Sequence, residues 1–342
     1  YKNLFEKIIS PENFFLAWDS FKSDKRNKFD VREFEWHLEE SIFQICRELK
    51  NKTYKHGPYT GFYIHDPKQR HIHKALVRDR VLHHAVFSVI NPIFEETFIS
   101  TSFSCRIGYG THKGIAVLEK IARRVYQNGT SSCFVLKCDI QKFFDSIDHH
   151  VLFSILGKRI NDEDTTWLLR EIIGSYSSSR STIFEKKGLP IGNLTSQLFA
   201  NVYMNEFDQF MKNSLKIRNY VRYTDDFAIV SESSAYLEEL LEPITEFLDR
   251  KLAIRLHPDK ITIRKFNSGV DFLGYLIFPY HRLLRTKTKQ RIFAKLQNRN
   301  DEFRNGLISK STFEQSLKSY LGVLFHANSH KINQDIKNQF WF

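Results

Sequence analysis

Apolar positions in the first fifty residues recur at three- and four-residue steps, with Phe34, Leu38, Ile42 and Ile45 separated by acidic residues, and this spacing predicts helices. His56-Gly57-Pro58 predicts a turn. Residues 59–65 then alternate like a strand, and 77–90 return to helical spacing until Asn91-Pro92, which is expected to end the helix. The run 131–140, with Cys133-Phe134-Val135-Leu136 at its centre and Asp139 near its end, predicts a buried strand that delivers an acid. Asp148 and then Asn161 or Asp162 stand where helix caps belong, ahead of Val151, Leu152 and Ile155 and of Leu168, Leu169, Ile172 and Ile173.

Gly188-Leu189-Pro190-Ile191-Gly192 reads as a rigid approach to a long helix bearing Leu194, Leu198, Val202, Phe207, Phe210 and Met211 on one side. Two short apolar runs, Tyr220-Val221-Arg222-Tyr223 and Phe227-Ala228-Ile229-Val230, flank the polar tip Thr224-Asp225-Asp226 and predict a β-hairpin. A helix over about 235–252 and strands at 253–256, 261–263 and 272–278 complete a strand-helix-hairpin-helix-strand order of the split βαβ type. From His281 the chain turns helical and basic, with Arg282, Arg285, Lys287, Lys289, Arg291 and Lys295, which predicts a separate subdomain.

Composition narrows the possibilities. Fifty-one Lys plus Arg against 39 Asp plus Glu leave a net charge of +12 over 342 residues, and the excess is spread along the chain, as on a surface that faces a polyanion such as nucleic acid. At this length about two domains or subdomains are expected. Cys46, Cys105, Cys133 and Cys138 form no CxxC, so reduced thiols and a cytoplasmic setting are expected. No stretch is apolar enough to cross a bilayer, and Lys2, Glu6 and Lys7 interrupt the start where a signal peptide would be apolar, so no membrane partner is expected. The first residue is Tyr rather than Met, and some native N-terminal residues are expected to precede it.

Asp139 at a strand end and Asp225-Asp226 at a hairpin tip supply carboxylates of the kind that hold two magnesium ions about 3.5–4 Å apart for in-line phosphoryl transfer, provided the two strands are neighbours. Asp145 and Asp148 are explained more simply as a helix N-terminal cluster. His71, His73, His83 and His84 lie at no familiar zinc spacing, and surface or nucleic-acid contact is the simpler reading. His149-His150 reads as the solvent side of a helix start, Trp18 and Trp36 as core of the N-terminal helices, and Trp341 as part of a frayed or docking tail.

Asp139-Ile140-Gln141-Lys142-Phe143-Phe144-Asp145-Ser146-Ile147-Asp148-His149 and Tyr223-Thr224-Asp225-Asp226 resemble the two catalytic motifs of reverse transcriptases. The likeness extends in order over residues 59–280, through Pro67-Lys68-Gln69-Arg70, Arg78-Asp79-Arg80-Val81, Ser104-Cys105-Arg106, Leu256-His257-Pro258-Asp259-Lys260 and Val270-Asp271-Phe272-Leu273-Gly274-Tyr275. It implies an α+β right-hand polymerase fold with fingers, a split-βαβ (ferredoxin-like) palm and a helical thumb. Residues 1–108 are then N-terminal helices and fingers, 109–148 palm with the first catalytic motif, and 149–191 a fingers/palm insertion. Residues 192–280 are palm with the second motif and primer grip, and 281–342 are the basic thumb.

The resemblance also implies roles. Asp139, Asp225 and Asp226 are catalytic and, with the backbone carbonyl of Ile140, hold two Mg2+ ions, for which Mn2+ can substitute. Lys68, Arg70, Phe144, Ile191 and Gly192 bind the incoming nucleotide. Phe144 gates the sugar against a 2'-hydroxyl, and Ile191 and Arg70 bear on fidelity. Gln197, Tyr223, Lys260, Leu273, Gly274, Arg285, Lys287, Lys289 and Arg291 hold template and primer. Arg80 is expected to pair with an acid and shape the fingers.

Where most reverse transcriptases have Gln-Gly followed by Ser-Pro, this chain reads Ile191-Gly192-Asn193-Leu194-Thr195-Ser196-Gln197. That variant, with Leu324-Phe325-His326-Ala327-Asn328-Ser329, resembles the reverse transcriptases of diversity-generating retroelements, a branch of the group II intron-like superfamily. The resemblance implies an error-prone RNA-directed DNA polymerase in a bacterial or phage setting that copies a template-repeat RNA into adenine-mutagenised cDNA. Its implied partners are the RNA, the primer-template duplex, dNTPs and a small basic accessory variability protein. Thr224 departs from the commoner Met or Ala at that position. The competing readings are a group II intron, retron or phage-defence reverse transcriptase and, from another class, a catalytically silent RNA-binding scaffold. No maturase or endonuclease segment is expected after the thumb, which weighs against the full intron form. Phe144 weighs against a viral RNA-dependent RNA polymerase.

Overall fold

The structure, a computed structural model, describes residues 1–65, 69–182 and 185–340. Four helices open the chain: α1 (Phe5–Ile9), α2 (Pro11–Lys22), α3 (Phe29–Trp36) and α4 (Leu38–Lys50). Ser10 caps α2 by accepting from the Asn13 amide, and Pro11 stands at the first helical position, where a missing N–H costs nothing. The heptad-like run through Phe34 and Leu38 is broken at His37, which separates α3 from α4. One consequence corrects the sequence reading: Trp18 is buried at 1% exposure, whereas Trp36 is 86% exposed.

A two-stranded ribbon follows, β1 (Thr60–Ile64) against β2 (Arg70–Lys74), and then helix α5 (Val77–Glu95). Contrary to expectation α5 runs through Pro92, which lies inside it. Its packing against α2 and against the later helix Leu194–Gln209 outweighs the lost backbone hydrogen bond. Helix α6 (Thr111–Tyr126) leads into β3 (Phe134–Cys138), and short α7 (Phe143–Ser146), α8 (His149–Gly157), α9 (Glu163–Gly174) and α10 (Leu194–Gln209) lead to the hairpin β4 (Tyr220–Tyr223) and β5 (Asp226–Ser231). Asp148 caps α8 and Asp162 caps α9, each accepting from the amide three residues on. His149 is buried, not solvent-facing, with its Nε2 2.7 Å from the Gly188 carbonyl oxygen, while His150 is exposed.

The helix expected over 235–252 is two helices, α11 (Ser234–Glu239) and α12 (Leu241–Leu252), because Pro243 in the first turn of α12 lacks the N–H needed to continue α11. Strand β6 (Thr262–Lys265) then closes a four-stranded antiparallel sheet in the order β4-β5-β3-β6, the split βαβ arrangement. Residues 253–256 form no strand and contribute a single bridge, Leu256 to Ile140. The stretch 272–278 is not one strand either. It folds back as β7 (Val270–Phe272) and β8 (Tyr275–Ile277) around Leu273 (φ +49°) and Gly274 (φ +90°), and β9 (Arg282–Leu284) completes a second sheet. Helices α13 (Thr286–Arg304), α14 (Lys310–Phe325) and α15 (His330–Phe340) end the chain.

Two apolar cores underlie this layout. One lies beneath α1, α2, α4, α5, α8–α10 and one face of the sheet, and the other joins the opposite sheet face to α6, β7–β9 and the C-terminal helices. All four cysteines are unpaired. Among the described residues no helix is long and apolar enough to cross a membrane.

Candidate active site

Strand β3 is entirely apolar on its buried face and pairs with β5 through Cys138 opposite Phe227. The chain therefore leaves β3 at Asp139 beside the start of β5 at Asp226, and the neighbour condition for shared metal carboxylates is met. Tyr223 pairs with Asp226, so the hairpin tip is the dipeptide Thr224-Asp225. Thr224 sits at φ +56°, an unfavourable backbone region for a β-branched residue.

A buried network holds that strained tip. Arg222 and Asp208 are both fully buried. The Arg222 guanidinium donates through Nε to Asp208 Oδ1 (2.8 Å) and through Nη2 to Asp208 Oδ2 (2.5 Å) and Ser102 Oγ (2.9 Å). Its Nη1 donates to the Thr224 carbonyl at 2.9 Å, and Thr224 Oγ1 bonds Ser104 Oγ at 2.5 Å. Tyr220 adds its hydroxyl to Asp208 at 2.8 Å. Sequence reasoning quotes Arg222 and Ser104 within motifs without giving them a role, and does not mark Asp208 or Ser102. An arginine in an apolar strand was the one available signal, since a buried charge must have a partner.

The acids crowd one another. Burial pushes the Asp225 carboxyl up to about 6, and the charges of Asp226 and Asp139 add to the shift, while Arg70 opposes it. Two ammonium groups stand against the same acids: Lys260 Nζ lies 2.6 Å from Asp139 Oδ1 and Lys137 Nζ 3.6 Å from Asp226 Oδ1. Among the described residues no three Asp, Glu, His or Cys side chains converge on a single point. A cation here would therefore take part of its shell from water or from a substrate, as Mg2+ commonly does. Burial first and the charges of Asp226 and Asp139 second raise Asp225, and a divalent cation would offset both, so this donor set fits such an ion.

Asp139, Asp226, Lys260, Arg70, Leu273, Gly274, Arg285, Lys287 and Arg291 line one cleft of about 930 Å3, so residues up to 221 positions apart in sequence meet there. Arg285 is tied to Asp271 by an ion pair. Lys289 is turned instead toward the Phe293 ring, 6.0 Å from its centroid. Tyr223 accepts at its hydroxyl from Thr111 Oγ1 at 3.2 Å.

Phe144, Ile191 and Gly192 are not among the residues that line this cleft, and each is held through its backbone or its close packing. The Phe144 carbonyl accepts from the Leu189 amide at 2.8 Å, and the Ile191 carbonyl accepts from the His73 amide of β2 at 2.9 Å. Gly192 has φ +117°, and a Cβ there would meet Ile72 Cγ2 at 2.8 Å, so only glycine lets this loop lie against β2. Asn193 Nδ2 donates to the His73 carbonyl at 3.2 Å. Gln197 lies apart, in a groove of about 450 Å3 between α2, α5 and the start of α10. Lys68 lies outside the described residues, and so does Trp341. Arg80 does pair with an acid, Asp30, at 3.0 Å. Of the histidines read as surface, His83 is buried on α5 with its Nε2 3.2 Å from His56 Nε2.

Comparison with known proteins gives this geometry a family. Residues 64–277 match the reverse transcriptase (RNA-dependent DNA polymerase) family. Protein YkfC of Escherichia coli (strain K12) is 27% identical over 282 residues, covering 72% of this chain and 72% of that protein. Group II intron-encoded protein LtrA of Lactococcus lactis subsp. cremoris is 22% identical over 345 residues, covering 80% of this chain and 56% of LtrA, so the chain spans little more than half of that relative. Among solved structures, a telomerase from Candida albicans in complex with a fragment of telomeric RNA superposes with a TM-score of 0.49 at 12% identity, covering 91% of this chain and 60% of that one. With more than half of its length matched and its acids gathered at the junction of β3 and β5, the chain belongs to the reverse transcriptase (RNA-dependent DNA polymerase) family and has its right-hand polymerase fold.

Proposed function

We propose that this chain is the error-prone reverse transcriptase of a diversity-generating retroelement, copying a template-repeat RNA into cDNA mutagenised at adenines. The observation that carries the subfamily reading is the loop Ile191-Gly192-Asn193, which puts an aliphatic side chain beside β2 where most of the family has glutamine. A glutamine amide offers donors and an acceptor that test the shape of a nascent pair, whereas isoleucine offers only shape. Losing such contacts narrows the free-energy gap between right and wrong pairs, and each ~1.4 kcal/mol lost is tenfold in selectivity. The accessory protein and the bacterial or phage setting come with the same reading.

In this account Asp139, Asp225 and Asp226, with the Ile140 carbonyl, would hold two Mg2+ ions. When bound, the ions stabilise the attacking 3'-oxygen and the leaving pyrophosphate oxygen. Arg70, on the cleft side of β2, grips triphosphate oxygens with its planar fork, and Lys68 is assigned to the same clamp. Lys260 and Lys137 offset the charge of Asp139 and Asp226, contacts that these acids would exchange for cations if they held them. Phe144 walls the sugar, and a bulky ring there excludes a 2'-hydroxyl. Leu273, Gly274, Lys287 and Arg291 cradle the primer-template duplex along the cleft. In the same reading fingers, palm and thumb take the bounds that the resemblance implies.

The relatives favour a second reading, a group II intron-type reverse transcriptase, since LtrA and a nuclear intron maturase of Arabidopsis thaliana are both among them. Primer extension on an adenine-containing RNA template, with the products sequenced, separates the two. Mismatches concentrated opposite template adenines support the diversity-generating reading, and accurate DNA supports the intron-type reading.

A further inference from the structure

Two features of the β4–β5 hairpin tip are not explained by folding alone. Thr224 stands at φ +56°, where glycine or asparagine would make the same turn with less strain than a β-branched side chain. It is also the position at which this chain departs from the commoner Met or Ala, and what the departure adds is a hydroxyl.

That hydroxyl meets a partner that three elements hold in place. Residues 101–103 run along the outer edge of β4: the Arg222 amide donates to the Thr101 carbonyl at 2.9 Å, and the Phe103 amide donates to the Arg222 carbonyl at 3.0 Å. Ser102 and Arg222 form a parallel bridge between them. The next residue, Ser104, is buried, and its carbonyl accepts from Nδ2 of the buried Asn201 on α10 at 2.8 Å. The chain then turns away at Cys105, which has φ +53°. Ser104 is therefore fixed through its backbone on either side, and its Oγ accepts from Thr224 Oγ1 at 2.5 Å.

Thr224 is thus clamped twice. Its carbonyl accepts from Arg222 Nη1 at 2.9 Å, a bond that any residue at this position can make. The bond to Ser104 needs a hydroxyl, and methionine or alanine would lack it. Asp225 follows at once, close enough to Asp226 and Asp139 to feel their charges, so the backbone angles of Thr224 set the direction in which its carboxylate leaves the turn.

We propose that Ser104 is a positioning residue, which through Thr224 Oγ1 holds the hairpin tip in the left-handed pose that keeps Asp225 with Asp139 and Asp226 for the ions. The inference rests on the polymerase reading above and deepens it by adding a residue outside the carboxylate set. Without the hydroxyl pair, Thr224 relaxes toward ordinary negative φ, and a smaller fraction of molecules presents the three acids together. Apparent ion affinity falls by that fraction, and saturating ions draw the population back. The defect is then one of Mg2+ demand, not of nucleotide binding.

The test titrates Mg2+ on the full chain in two ways, by the rise in unfolding temperature and by primer extension on an RNA template. Ser104→Ala and Thr224→Val each raise the half-saturating Mg2+ concentration by roughly fivefold in both titrations, as loss of one hydrogen bond predicts. At saturating Mg2+ their kcat and their KM for dNTP return to within about twofold of the parent's. Because both substitutions break the same bond, the double variant shows the shift of either one alone. Thr224→Ser keeps the hydroxyl and restores the parent's Mg2+ demand. Unfolding without Mg2+ checks that each variant is folded at the assay temperature, which a change in global stability alone would leave with an unaltered Mg2+ demand. An unchanged Mg2+ demand in the single variants, or shifts that multiply in the double variant, overturns the role of Ser104 and leaves the polymerase reading standing. A parent that neither gains stability with Mg2+ nor extends the primer overturns the polymerase reading with it.

Discussion

Asp225 shows what a buried carboxylate among other acids costs the fold around it. Its carboxyl is raised from 3.8 to about 6, so the folded chain holds that proton more tightly than the unfolded one, and stability is lost as pH rises through this window. At pH 7 the ion-free protein therefore carries a penalty of roughly 3 kcal/mol at this position. Asp225→Asn is expected to raise the urea-unfolding stability of the ion-free protein at pH 7 by an amount of that order while abolishing polymerisation. Millimolar Mg2+ should then stabilise the parent more than the variant, and equal stabilisation by Mg2+ would contradict the assignment. Arg222 works in the opposite sense, because its fully buried guanidinium holds Asp208, Ser102 and the Thr224 carbonyl together. Asp208→Asn leaves that charge buried and unpaired, and the loss expected in chemical denaturation is about 3–5 kcal/mol. Ile191→Gln restores an amide beside β2 and is expected to lower misincorporation in sequenced extension products, and an unchanged error spectrum would count against the fidelity role.

Helix α5 illustrates how elements were read from pattern and where pattern failed. Its spacing predicted a helix from Val77, yet the predicted stop at Pro92 did not occur, because packing against α2 and α10 carries the helix on to Glu95. The caps at Asp148 and Asp162 were legible because a cap is a local bond, three residues long. The hairpin β7–β8 was not, since Leu273 at φ +49° is a turn residue that no propensity favours. Helix α5 also carries a pH dependence. His83 is held well below 6.5, first by burial and then by His56, His84 and Arg80, and His84 is lowered to about 4. The unfolded chain takes up these protons and the folded chain does not, so stability falls as pH drops below about 6.5. Urea midpoints between pH 7.5 and 5.5 should decline less steeply in His83→Leu than in the parent, and parallel declines would contradict the buried neutral imidazole.

At the scale of the molecule, the order of motifs along the chain was enough to anticipate the family and the gathering of three acids at neighbouring ends of β3 and the β4–β5 hairpin. What sequence spacing did not carry was contact between distant segments. Lys260 reaches Asp139 across 121 residues, and His73 meets Ile191 through backbone atoms that no side-chain pattern marks. The family resemblance groups Gln197 with the template contacts, and its helix places it in a second groove between α2, α5 and the start of α10. The net charge of +12 and the basic residues at the cleft predict that duplex binding is held largely through phosphates. Affinity for an RNA–DNA hybrid should fall by at least about tenfold between 50 and 200 mM salt, and a salt-independent affinity would remove the cleft from consideration as the duplex site.

The most direct test of the whole account is primer extension by the purified chain, with and without a candidate accessory protein, on an adenine-containing RNA template with Mg2+ and dNTPs, using Asp225→Ala as the control. The account predicts DNA product from the parent, none from the variant, and mismatches gathered opposite template adenines. Product from Asp225→Ala equal to the parent's would contradict the active site, and accurate product from the parent would contradict the error-prone function.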